Sequence, residues 1–190
     1  MRHLVAAALL VTAACQTDPD AGTDALDGFV AELASTSPSA PPPLEPPRFG
    51  GCADVSLWAS NSADTVGLHV YAPDLIVQSQ QSAATTLTHA YSFDLPSTEV
   101  TLSFEVGTDI TVNDCNDVFF PTTIRQTWVP VAGEAHVVID LLGGPIQPWY
   151  NPALATLTLT DVVVEETTTG RRRSLPDMVL TDVDVGWLPG

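Results

Sequence analysis

Thr98 to Val106 (TEVTLSFEV) sets the terms for the whole chain. Val100, Leu102, Phe104 and Val106 fall on one side of an extended segment, with Glu99, Thr101, Ser103 and Glu105 on the other. Successive side chains of a strand point to opposite faces, so this period of two predicts a strand with one buried and one wet face. The pattern recurs at Val55, Leu57 and Ala59, and again at Val66, Leu68 and Val70. Ala135, Val137, Ile139 and Leu141 oppose Glu134, His136 and Asp140, while Leu154–Glu165 and Met178–Trp187 supply further strands. Turn-forming clusters separate them: NSAD, APD, DLPS, VAGE, LGGP and TTTG. Beyond residue 51 no segment carries an amphipathic helical stripe of useful length. Residues 52–190 therefore predict an all-β domain, an antiparallel β-sandwich with a closed β-barrel as the runner-up.

The region before this domain has a different composition. Gln16 to Gly51 is rich in Asp, Ser, Ala and Pro, and its second half reads STSPSAPPPLEPPRFGG. Prolines at that density favour extended polyproline II, a semi-rigid spacer of ~3.1 Å per residue. Leu26, Phe29, Val30 and Leu33 recur at helical spacing in the first half. A run this short is marginal as an isolated helix. The expectation is a tether over residues 15–51, with a transient helical turn or a short partner-binding helix inside a disordered arm.

At the amino end, Met1, Arg2 and His3 precede Leu4–Ala14, eleven residues that are apolar except for Thr12. A membrane-spanning helix needs ~20 residues, so this run is too short to span. A positive start, an apolar stretch and the small residues Thr12-Ala13-Ala14 match a secretory signal over residues 1–14. Ending on Cys15, the segment resembles the lipobox of bacterial lipoproteins, in which small residues precede an acceptor cysteine. Thr12 departs from the leucine usual in that family, and an ordinary signal peptidase also accepts Thr12-Ala13-Ala14. The resemblance implies a thioether-linked, N-acylated Cys15 and an anchored protein in the bacterial cell envelope; Gln16 after it implies the outer membrane. With Cys15 occupied by lipid, Cys52 and Cys115 are left as a pair in an oxidising compartment, where a disulfide is the default. They stand 63 positions apart, and closing such a loop is nominally worth ~4 kcal/mol.

Charge narrows the partners. The chain has 6 basic and 23 acidic residues, no lysine, and a formal net charge of −17. Such a balance repels nucleic acid and anionic headgroups and favours solubility. No nucleic-acid partner is expected.

Chemistry has few footholds. The stretch GTDITVNDCNDV gathers Asp109, Asn113, Asp114, Asn116 and Asp117, an oxygen density that suits Ca²⁺. Its spacing fails the helix-loop-helix calcium pattern, and a polar strand end and turn pinned by the Cys115 bridge is the simpler account, so no metal is expected. His136 and Asp140 share a strand face but sit about 13 Å apart, too far to hold one ion. There is no G-x-S-x-G elbow, no H-E-x-x-H and no phosphate-cradling glycine loop. No cofactor is implied. GGPIQPWYNPA places Trp149 and Tyr150 between prolines, where aromatics either stack on a sugar or a protein partner, or plug one end of the sandwich. TTTGRRRS puts Arg171, Arg172 and Arg173 at a hairpin tip, to bind anionic groups or to balance Glu165 and Glu166. The expectation is a lipid-anchored envelope protein whose non-catalytic head binds a glycan or an envelope protein. A glycan hydrolase working through two carboxylates is the alternative.

Overall fold

The computed structural model describes residues 21–35, 47–82, 87–142 and 150–187. Nine strands and two helices follow one another through these residues. They are helix α1 (Ala21–Ser35), β1 (Arg48–Cys52), β2 (Ser56–Ser60), β3 (Val66–Tyr71) and helix α2 (Leu75–Ser82). β4 (Thr88–Asp94), β5 (Thr101–Thr108), β6 (Thr123–Leu141), β7 (Tyr150–Glu166), β8 (Arg172–Ser174) and β9 (Met178–Trp187) complete the order. Every strand pairing is antiparallel. The sheet runs β1-β2-β3-β5-β6-β7-β8, with β4 added to β6 and β9 to β7. Among the described residues it does not close, so the fold is an open, sandwich-like all-β sheet.

Two long strands make both layers. The first half of β6 pairs with β5 and the second half with β4, while β7 gives its first half to β9 and its end to β8. Their shared ladder slips at Pro130/Ala132 and again at Ala132/Glu134. Bulges bend a strand and increase its twist, and these carry the pair from one layer to the other. Gly133 sits at the bend with φ +120°, where an added Cβ would lie 2.6 Å from the Val162 backbone. Only glycine takes that conformation without strain.

The alternation seen in the sequence is the core. Leu57, Leu68, Phe104, Trp128, Val137, Ile139, Leu157, Leu159 and Val183 all belong to one core cluster and are nearly inaccessible to water. Trp128 is fully buried; its neighbour along the chain, Val129, points outward.

The tether assignment of 15–51 needs correction. Leu26, Phe29, Val30 and Leu33 form the buried stripe of α1, each at most 2% exposed, and they belong to the same core cluster as the strands. The helix lies against β9, β5 and β3. Burying four such side chains contributes roughly 1.5–3 kcal/mol each, enough to hold a helix that would be marginal alone. Residues 48–51 are also domain, since β1 pairs with β2 from Arg48 onward. The signal segment 1–14, Cys15 and the proline-rich residues 36–46 lie outside the described residues.

Helix α2 is the second departure from expectation. LIVQSQQS has too weak a stripe to stand out, but Leu75, Ile76 and Ser79 are buried beneath it. Asp54, in the β1–β2 turn, accepts a hydrogen bond from the Ile76 amide at 2.7 Å, satisfying one of the unpaired donors at the helix start. Burial raises the Asp54 carboxyl above its usual range, against the lowering effect of the Ile76 and Asp74 amides.

Candidate functional site

The outward faces of β2, β3 and β5 bring an aromatic ring, hydroxyls and a histidine–carboxylate pair together. Register sets Ser56 beside Tyr71 and Tyr71 beside Thr101, and sets Trp58 beside His69 and His69 beside Ser103. These are the alternate positions to the core residues Leu57, Leu68, Val70 and Leu102, so the strand period itself places them on one external face. A groove of about 580 Å³ runs along this face. Tyr71, Ser56, Ser97, Thr101, Ser103 and the His69–Asp114 pair line it, and Pro96 and Pro130 form part of its wall. Tyr71 is 49% exposed.

The Cys52–Cys115 disulfide roofs one end of this face. Its Cα atoms are 5.6 Å apart, and it ties the 109–122 loop to β1. Glycine at position 67 makes room for the loop, because a Cβ there would meet the Ile110 side chain at 2.7 Å. Residue 114, next to the bridge, is thereby delivered to β3. The Asp114 carboxylate straddles Nδ1 of His69, with Oδ1 hydrogen-bonded at 3.2 Å and Oδ2 at 3.1 Å but outside hydrogen-bonding geometry. On the other side of the ring, Glu105 Oε2 is 3.7 Å from Nε2, which is buried and makes no hydrogen bond. Burial alone would depress the imidazole pKa. The hydrogen bond to Asp114 and the negative charges of Asp114, Glu105 and Asp64 outweigh it, and the net direction is upward. In the β2–β3 turn, Asp64 accepts from the hydroxyl of Thr111 in the loop at 2.7 Å and lies 3.8 Å from Arg48.

The calcium candidates do not converge. Asn113 is spent on Phe120, donating to its carbonyl at 2.9 Å and accepting from its amide at 2.7 Å. Asn116 donates to the Val112 carbonyl and accepts from the Val118 amide. Asp114 is committed to His69, and Asp109 and Asp117 join no cluster. Among the described residues no group of three or more His, Cys, Asp or Glu side chains is placed to hold a metal ion. These polar side chains brace the loop.

The arginine triplet is divided among three local partners. The Arg171 guanidinium stacks over the Trp128 ring at 5.7 Å from its centroid, Arg172 pairs with Glu165 at 2.6 Å, and Arg173 pairs with Asp27 of α1 at 2.9 Å. Glu166 turns inward and accepts from the Thr169 hydroxyl and from the Thr168 and Thr169 amides, which lower its pKa against the raising effect of burial. The tip is a self-braced turn, not a cationic patch. Of the aromatic pair, Trp149 lies outside the described residues, and Tyr150 opens β7 with its backbone paired to Trp187. His136 and Asp140 each bond across to β4, to Ser92 and Thr88.

Sequence reasoning gave Asp114 only as a calcium candidate and singled out neither its partner His69 nor Tyr71. One signal was available: a bridge between Cys52 and Cys115 brings the loop's carboxylates to the strands next to Cys52, where His69 faces outward. Comparison with protein-family models, with curated proteins and with solved structures finds no match to this chain. Among the described residues no helix is long and apolar enough to cross a membrane.

Proposed function

We propose that this chain is a lipid-anchored protein of the bacterial cell envelope, targeted to the outer membrane through Gln16, whose β-sandwich head is a non-catalytic binding module. The lipobox-like segment ending on Cys15 supports the anchor, and a disulfide between Cys52 and Cys115 suits an oxidising compartment. The ligand class follows from the groove over β2, β3 and β5. A half-exposed Tyr71 beside Ser56, Ser97, Thr101 and Ser103 offers an aromatic face ringed by hydroxyls. That combination suits an uncharged, hydroxyl-rich ligand such as a glycan segment, which stacks its apolar ring face and hydrogen-bonds at its edges. The exposed Tyr71 carries this reading.

Binding of the purified head to an array of neutral glycans tests it. Tyr71→Ala is expected to weaken binding at least about tenfold, in line with loss of one aromatic anchor. Binding that survives Tyr71→Ala removes the groove as the site. The hydrolase alternative gains nothing from Glu105 and Asp114, because the His69 ring stands between them where a scissile bond and its water would need space.

A further inference from the structure

Helix α1 changes where the head must sit. If residues 15–51 were a stalk at polyproline pitch, the head would stand roughly 110 Å from its anchor. In the structure the chain is already inside the head at Ala21, since the α1 stripe Leu26, Phe29, Val30 and Leu33 is buried in the common core. Only Gln16–Asp20, five residues, separate that point from Cys15. A chain of that length reaches at most about 22 Å at full extension. The proline-rich residues 36–46 add nothing to the reach, because both their flanks, Ser35 and Arg48, belong to the head.

We infer that the domain rides directly against the lipid surface, with the start of α1 turned toward the bilayer. This rests on the proposed acylation of Cys15. Arg173 of β8 reaches Asp27 at 2.9 Å, so β8 lies beside the helix, about 9 Å along its axis from Ala21. Asp24 is exposed in the first turn of this helix, and the chain as a whole carries a formal net charge of −17. Contact with an anionic bilayer is therefore opposed by charge, and proximity is imposed by the short leash, not by attraction. A bilayer-facing surface with carboxylates held close to lipid fits a zwitterionic headgroup layer better than an anionic one.

Energy transfer measures the gap. The full-length protein carrying Ser174→Cys, an exposed β8 position next to Arg173, is labelled with a donor and reconstituted into phosphatidylcholine vesicles that contain an acceptor lipid. Strong transfer is expected. A flexible Gly/Ser insert of about 40 residues between Gln16 and Thr17, adding roughly 35 Å of mean reach, is expected to reduce it several-fold. Addition of phosphatidylglycerol at low salt is expected to lower transfer in the insert variant more than in the parent, whose leash leaves no room to retreat. Intact mass of the same samples reports acylation. Acylated protein with weak transfer, unchanged by the insert, overturns the placement and leaves the anchor standing. Unacylated protein overturns both.

Discussion

Helix α1 and the 109–122 loop both press on β3, one from the core side and one from outside, and they are held by different physics. The helix contributes four apolar side chains that are at most 2% exposed. The loop buries Ile110 and Thr111, then leaves Val118, Phe119 and Phe120 at 58%, 83% and 42% exposure. It is kept in place by a covalent bridge, the Asp64–Thr111 hydrogen bonds and the His69–Asp114 pair. Apolar burial answers to temperature and denaturant, whereas the loop's fastenings also answer to reductant and protons. One surface of the sheet is therefore permanent and the other conditional.

That contrast can be broken in order of size. Phe29→Ala in α1 is expected to destabilise the whole domain by about 3–5 kcal/mol, since it empties a fully packed site. Urea denaturation followed by circular dichroism checks it, and a single transition shifted as a whole is expected. Cys52→Ala with Cys115→Ala, or reduction of the bridge, is expected to cost about 2–4 kcal/mol and to expose the loop to limited proteolysis near Phe119. Phe29→Ala at equal population of folded protein is not expected to produce that cut.

Protons give the third test. The folded-state pKa of His69 lies above its unfolded value of about 6.5. A raised histidine pKa means that the imidazolium is favoured in the folded state. Its stabilisation is complete below the unfolded pKa and disappears as pH rises through the folded one. The denaturation midpoint should accordingly fall from pH 6 toward pH 8.5, and His69→Gln should flatten that fall. A wild-type midpoint that rises over this range refutes the assignment. The smallest effect belongs to Arg173→Ala, which removes a half-exposed ion pair to Asp27 worth about 0–1 kcal/mol. A double-mutant cycle with Asp27→Ala measures it.

Much of this was legible in the sequence, and the parts that were not share a cause. Val100–Val106 and Ala135–Leu141 announced their faces because period two needs only neighbouring residues. The spacing of Leu26, Phe29, Val30 and Leu33 was equally visible; what could not be read was a surface for it to meet, which is built from β3, β5 and β9. Proline-rich surroundings made an isolated helix look transient, and tertiary packing overrode that. The bend of β6 is marked by Gly133, but a glycine in VAGE reads as a turn until the partner strand is seen continuing past it. His69 and Asp114 are separated by 45 positions, and only the disulfide links them. Arg171–Arg173 looked like a patch because adjacency in sequence suggests one surface; on a strand leaving a tight turn the three side chains diverge to Trp128, Glu165 and Asp27.

The seat of α1 on β9 has a consequence for how the protein is made. Synthesis runs from the amino end, so the helix emerges with its apolar stripe long before Met178–Trp187 exists to receive it. The first described element of the chain and the last complete each other. Until the final strand arrives, the nascent polypeptide carries an unsatisfied greasy edge next to its own amino terminus, and a ribosome stalled short of residue 178 would release a product that cannot shut.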